Sequence, residues 1–245
     1  MTMKVFLLIG HILSACIQCL IFPFLPYRPK SKLIQIWSRT LLRIFNIRLT
    51  IHGNRELLND RQSALVVSNH ISWIDIHVIN TVSPVIFVAK SDVAKWPIFG
   101  WIAQQIGTIF IVREKISDIK RVLNLMVQYL QSHKKVCIFP EGTSTDGKSV
   151  LPFRSNLLQA AINSQARVIP ICITYKERGR YSDVTAFIGD MGLIDSIKKM
   201  LKSSDMEVHV HILEPLSDIH SRQELADRAH QLIREVTEIH HSIHQ

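Results

Sequence analysis

Two kinds of periodicity alternate along this chain. Short apolar runs rich in valine and isoleucine recur at Arg48–His52, Ala64–Ser68, Val85–Ala89, Thr108–Val112, Val136–Phe139, Val168–Thr174, Val184–Ile188 and Val208–Leu213, and each reads as a strand. Between them lie stretches with apolar residues at helical spacing: Ser72–Thr81, Ile116–His133, Ser155–Ser164, Leu193–Lys202 and Arg222–Ile243. Strands interleaved with helices predict one α/β domain with a mixed, mostly parallel sheet flanked by helices. The polar segment Lys176–Ser182 reads as a surface loop, and no repeat or low-complexity tract interrupts the pattern.

The N-terminus departs from this alternation. From Val5 to Tyr27 there is no charged residue, about the length that crosses a bilayer core. His11, Ser14, Gln18 and two prolines dilute the run, and Pro23 and Pro26 stand where a signal peptide would need small residues. Arg28, Lys30, Lys32 and Arg39 follow it, against Lys4 before it, so the positive-inside rule puts the rest of the chain in the cytoplasm. Leu33–Ile47 mixes apolar and basic positions as an amphipathic surface helix does. The expectation is a membrane anchor plus amphipathic helix over residues 1–47. A catalytic domain over 48–245 would face the cytoplasm from the cell inner membrane or a similar membrane.

Composition sharpens this. The 245 residues suit one sizeable domain, and 47% hydrophobic content with mean hydropathy +0.15 is high for a freely soluble protein. A net charge of +9 and a pI near 9.6 favour an anionic partner. The basic residues are scattered and carry no nucleic-acid motif, so membrane lipids are the expected partner and nucleic acid is not. Cys16, Cys19, Cys137 and Cys172 sit in apolar contexts and read as buried thiols of a reducing compartment. His209 and His211 alternate on one strand, and His240, His241 and His244 end the chain. They read as surface histidines, and no metal is expected.

The candidate chemistry begins after the second strand. His70 and Asp75 lie five positions apart, and on a helix such positions diverge by roughly 140°. They meet only if His70 sits in the strand-to-helix loop and Asp75 in the first helical turn. Ser72 through Asp75 forms a capping-box pattern that would start the helix at Ser72. A carboxylate on one ring nitrogen would fix the tautomer and make the histidine a general base. A mere helix cap beside a polar loop residue would leave the same pattern. Two more polar clusters follow strands: Arg113, and Glu141-Gly142-Thr143-Ser144. In open α/β sheets ligands bind outside the carboxyl ends of strands, where all three clusters would converge.

At these residues the chain resembles the membrane-associated glycerolipid acyltransferases, typified by 1-acylglycerol-3-phosphate acyltransferase. The resemblance rests on four ordered blocks: Asn69–Asp75, Gly107–Arg113, Phe139–Ser144, and Val168-Ile169-Pro170-Ile171. It implies an O-acyltransferase in which His70 deprotonates a lysolipid hydroxyl and Asp75 orients the ring. Acyl-CoA or acyl carrier protein would be the co-substrate, with no other cofactor. Asn69, Arg113, Glu141, Gly142, Thr143 and Ser144 would line the substrate site. Members that make phosphatidic acid usually carry an arginine where this chain has Ser144, so Arg154 is a candidate replacement. Lysophosphatidic acid is slightly preferred as acceptor over a lysophospholipid with a substituted head group or lyso-ornithine lipid. A lipid hydrolase or transacylase and a non-catalytic membrane-surface adaptor are the rival readings. Trp96–Ala103 fits a membrane-dipping segment, an acyl-tunnel wall or a core helix.

Overall fold

A computed structural model describes residues 2–242; the expected helix end at Ile243 and the tail His244 lie outside the described residues. The chain begins with α1 (Thr2–Ile21) and α2 (Tyr27–Ile44), then β1 (Ile47–Gly53), a single turn α3 (Glu56–Asn59) and β2 (Ala64–Ser68). Next come α4 (Asp75–Val82), β3 (Ile86–Lys90), α5 (Phe99–Ile106), β4 (Ile109–Ile111) and α6 (Ile116–Gln131). The remainder is β5 (Lys135–Ile138), α7 (Gln159–Ser164), β6 (Arg167–Glu177), β7 (Arg180–Tyr181), α8 (Leu193–Lys202), β8 (Met206–Ile212) and α9 (Arg222–Ser242).

The strands form one sheet in the order β1-β8-β6-β2-β5-β3-β4, with β7 added to β6. Neighbours from β6 through β4 run parallel, as do β1 and β8, and the β6–β8 junction is antiparallel. Side chains alternate strictly between two cores. Val66, Ile169, Ile171, Ile173 and Tyr175 face the layer that includes α2, α4 and α8. Leu65, Val67, Val136, Ile138 and Cys172 face α6, α7 and α9. Because both faces are covered, β2 and β5 are wholly buried and read as continuous apolar runs rather than alternating ones.

Three elements differ from expectation. Val184–Ile188 is a loop, because its backbone is spent elsewhere: Phe187 N–H donates to the Ile71 carbonyl at 2.9 Å, and Phe187 O accepts from the Ser144 hydroxyl. Within the expected loop Lys176–Ser182, Arg180–Tyr181 pairs back on Lys176–Glu177 as a short hairpin strand. His209 and His211 are half-buried rather than a solvated face. His52 stacks on His211 at 4.3 Å and its Nε2 lies 3.1 Å from His209 Nδ1, while His240 approaches both rings edge-on. His241, another residue expected at the surface, is anchored by its Nε2 lying 2.9 Å from the Gly147 carbonyl.

The N-terminal helix lies against the body of the protein. Leu8, His11, Ala15 and Cys19 make its buried stripe, at the spacing of one helical face. Trp37 Nε1 donates to the His11 carbonyl at 3.0 Å, His11 Nε2 lies 3.0 Å from the Trp37 carbonyl, and the two rings stack at 4.2 Å. Gln35 of α2 donates to the carbonyls of Thr81 and Val82, which end α4. Phe6, Leu13, Ile17, Leu20 and Phe24 remain exposed on the other side. The segment Thr2–Phe24 is long and apolar enough to cross a membrane.

Ile169 is fully buried at the centre of the sheet, paired with Val66. Ile169→Ala is expected to lower stability by about 2–5 kcal/mol, through lost burial plus an unfilled cavity. Denaturant unfolding of the two proteins measures this.

Candidate active site

Strands β2 and β5 run side by side in parallel, so their carboxyl ends open on the same edge. The loop after β2 begins with Asn69, whose buried side chain clasps β6: its Nδ2 donates to the Ile173 carbonyl at 2.9 Å and its Oδ1 accepts from the Ile173 N–H at 2.8 Å. The amide is thereby occupied as a clamp for the loop, and Asn69 supports the site without facing substrate.

His70 follows, partly exposed, with its ring stacked on Phe139 at 4.1 Å. Its Nδ1 donates to Asp75 Oδ2 at 2.9 Å, in the loop-plus-first-turn arrangement that the spacing demands. Asp75 is fully buried and is the first residue of α4. The same Oδ2 accepts the backbone N–H groups of Ile71 at 2.7 Å and Ser72 at 2.9 Å, and Oδ1 accepts the Tyr175 hydroxyl at 2.6 Å. Here the capping expectation needs correction. The Ser72 hydroxyl is buried with no hydrogen-bond partner, and the helix starts at Asp75 rather than Ser72. Only the half of the capping box in which the acid reaches back to the chain is made, because Asp75 also serves His70.

The loop after β5 holds the histidine's backbone from both sides. Glu141 Oε1 accepts the His70 N–H at 2.6 Å, and Thr145 N–H donates to the His70 carbonyl at 2.9 Å. Glu141 Oε2 accepts the Leu151 N–H at 2.8 Å, so this carboxylate, expected to bind substrate, instead ties three stretches of chain together. Burial pushes Glu141 up to about 7, against the opposing pull of its two backbone N–H groups. Ser144 is likewise occupied, its hydroxyl donating to the Phe187 carbonyl. The Thr143 side chain is exposed and its hydroxyl reaches no other segment, at 3.5 Å from the Ser144 carbonyl.

A cleft of about 550 Å³ opens beside this loop, with Val88, Ile111, Ile138, Phe139 and Leu157 as apolar walls. Arg113 and Arg154 supply its polar rim. They meet over Gly142, which turns with φ +81°, and a Cβ there would lie 3.0 Å from the Arg113 guanidinium and 3.1 Å from that of Arg154. Glycine is thus required twice, by the backbone and by the two cations. Arg113 donates to the Gly142 carbonyl, and burial, then the neighbouring Arg154 charge, hold it below the ordinary guanidinium value. Neither arginine has a salt bridge among the described residues, although the charge of Glu114 acts on Arg113 in the opposite direction. Phe139, one wall of this cleft, also carries the stacked ring of His70.

Of the expected site residues, Arg113 and Gly142 line the cleft, His70 stacks on its wall residue Phe139 with the buried Asp75 behind it, and Thr143 is exposed on the adjoining loop, whereas Asn69, Glu141 and Ser144 are built into the framework. Tyr175 was not singled out in the sequence. Its signal was a phenol closing the alternation Ile169, Ile171, Ile173, Tyr175 on one strand face, just beyond the proline of the fourth block.

A carboxylate-oriented histidine stacked on the wall of an apolar, cationic cleft has the geometry of a general base. The chain belongs to the Acyltransferase family, whose model matches residues 48–174. It is 32% identical over 206 residues to the lyso-ornithine lipid O-acyltransferase of Pseudomonas aeruginosa, covering 84% of this chain and 78% of that protein. A second lyso-ornithine lipid O-acyltransferase, from Rhizobium meliloti, is 33% identical over 87% of this chain and 77% of its own. The 1-acyl-sn-glycerol-3-phosphate acyltransferase of Neisseria meningitidis is 29% identical over 70% of this chain and 68% of its own. The fold matches the crystal structure of the 1-acyl-sn-glycerophosphate acyltransferase of Thermotoga maritima with a TM-score of 0.70, at 20% identity, over 96% of this chain and 92% of the other.

Because Glu141 titrates higher folded than its ordinary 4.5, the folded state binds more protons between about 4.5 and 7. Its contribution to stability is therefore present below about 4.5 and falls as pH rises through that window. Glu141→Gln, which carries no titrating proton, is expected to lack this part of the pH dependence, so any stability it loses relative to the parent is largest at acid pH and shrinks as pH rises through the window. Melting temperatures of the two proteins across pH 4–8 read out the difference.

Proposed function

We propose that this protein esterifies the free hydroxyl of an anionic lysolipid, taking the acyl group from a thioester of coenzyme A or acyl carrier protein. The observation that carries the proposal is the 2.9 Å bond from His70 Nδ1 to Asp75, which leaves Nε2 as the basic nitrogen of a ring stacked on Phe139, a wall of the cleft. His70 Nε2 takes the hydroxyl proton as the oxygen attacks the thioester carbonyl. The ester C–O bond forms, the C–S bond breaks, and the proton passes from His70 to the departing thiolate. The imidazolium formed in between is stabilised by Asp75. No covalent acyl-enzyme is required. Cys137, the thiol of this strand edge, is fully buried, and burial followed by the charge of Asp75 pushes it well above its ordinary value, which disqualifies it as a nucleophile.

Arg113 and Arg154 form the anion clamp for the acceptor head group. Paired guanidinium forks suit a phosphate and a carboxylate alike. Ser144 spends its hydroxyl on Phe187, so the third block contributes no cation and Arg154 takes that role from ten residues further on. Lyso-ornithine lipid is the acceptor we favour, supported by the names and broader chain coverage of the lyso-ornithine relatives and by an α-carboxylate that fits this clamp. Lysophosphatidic acid is the second candidate.

The N-terminal helix would lie within the cytoplasmic leaflet rather than cross the bilayer. Its inner stripe is committed to α2 and α5 along its length, while Phe6, Leu13, Ile17, Leu20 and Phe24 face outward as a lipid-facing surface.

His70→Ala is expected to lose about 100- to 10,000-fold of turnover while remaining folded. Mass spectrometry of the purified protein with lyso-ornithine lipid, lysophosphatidic acid and other lysolipids, under both thioester donors, tests activity and acceptor together. Full turnover in His70→Ala, or no acylated product from any pair, refutes the proposal. Arg154 is exposed at the cleft mouth, so Arg154→Ala should fold normally and raise KM for the lysolipid by about tenfold or more, with a smaller effect on kcat. Initial rates against lysolipid concentration decide it.

A further inference from the structure

We infer that Tyr175 is a positioning residue for the acyl transfer, fixing the Asp75 carboxylate and, through it, the imidazole of His70. The inference rests on the reading of His70 as the base. Asp75 Oδ2 takes all three of its donors from the loop that precedes α4, at 2.7–2.9 Å from His70, Ile71 and Ser72. Those bonds fix one oxygen to a local segment that moves with it. Oδ1 is held by the Tyr175 hydroxyl at 2.6 Å, from a strand one hundred residues away in sequence. Anchoring the two oxygens from two directions removes the carboxylate's remaining rotation.

The phenol is suited to that work. Its ring is buried in the core layer with Ile171 and Ile173, and so cannot swing away. β6 is itself clasped to the catalytic loop through Asn69 and Ile173, one turn of the pleat before Tyr175. Burial, and then the charge of Asp75, keep the hydroxyl protonated far above its ordinary range, so it acts as a permanent donor. Three other titratable groups reach the pair: Glu141 from the loop after β5, Cys137 from β5, and Tyr175 from β6. Of these only Tyr175 hydrogen-bonds to Asp75 among the described residues.

A donor on Oδ1 also withdraws negative charge that would otherwise stabilise the imidazolium. Removing it should leave more negative charge facing the imidazolium and loosen the ring's aim together. The test uses Tyr175→Phe in the full chain, which keeps the ring and deletes the hydroxyl. Expected are a fall in kcat of about tenfold or more, KM for the lysolipid within about twofold, and an acid limb of the kcat profile displaced upward by about half a pH unit or more. Incorporating fluorotyrosine at position 175, a stronger donor of nearly the same shape, should move that limb downward instead. A lower melting temperature with kcat and the acid limb unchanged would show the hydroxyl to be structural only and overturn the inference, as would a fluorotyrosine protein whose limb does not move. His70→Ala in the same assay separates the two readings. If it is inactive while Tyr175→Phe matches the parent, the positioning role alone falls. If it is fully active, the base falls and the positioning role with it.

Discussion

A carboxylate shut off from bulk solvent is the constraint to which this molecule is fitted. Moving a carboxylate out of solvent costs several kcal/mol unless its lone pairs are filled, and Asp75 is fully buried at the start of a helix. Its four hydrogen bonds draw on the histidine, two loop amides and a phenol from another strand. Satisfying the charge therefore also folds the loop, starts α4, aligns β6 and aims the ring. The bonds that would reach back to a helix start and those that would orient a base, rival readings of one short motif, converge on the same carboxylate.

The loop after β5 applies the same economy one layer out. Glu141 reads, from its place in the block, as a group waiting for substrate, yet both oxygens are already bonded to backbone. What faces the cleft is the curvature this bonding maintains: a glycine turn that lets two guanidinium groups stand side by side without a carboxylate between them. The strength of an anion clamp lies in that imbalance, since two like charges held near each other by a scaffold are relieved by whatever anion arrives.

Much of this was legible in the residues. Apolar periodicity marks β2, β5 and β6 to within a few positions because both sheet faces are covered there, and marks β8 by alternation with Glu207, His209 and His211. The five-residue gap between His70 and Asp75 fixes their relation by geometry alone. Where the sequence misled, tertiary bonding had overridden a local pattern. Val184–Ile188 has the composition of a strand, but its backbone partners lie in the catalytic loop. Asn69, Glu141 and Ser144 have the chemistry of ligand contacts, and only the fold reveals that their polar atoms are already engaged. Tyr175 was invisible for the converse reason: a buried aromatic in an apolar run looks like packing until its hydroxyl is seen to end on a carboxylate.

The flattened N-terminal helix has a consequence for how such an enzyme should be measured. On the proposed seating, with one stripe fastened to Trp37 and its neighbours and the other against lipid, the protein would travel with the sheet of molecules it consumes. Its acceptor would then approach by lateral diffusion, in two dimensions, while a thioester donor would arrive from bulk water. The concentration that governs half the reaction is then the mole fraction of lysolipid in the surface, and diluting the vesicles would leave it unchanged.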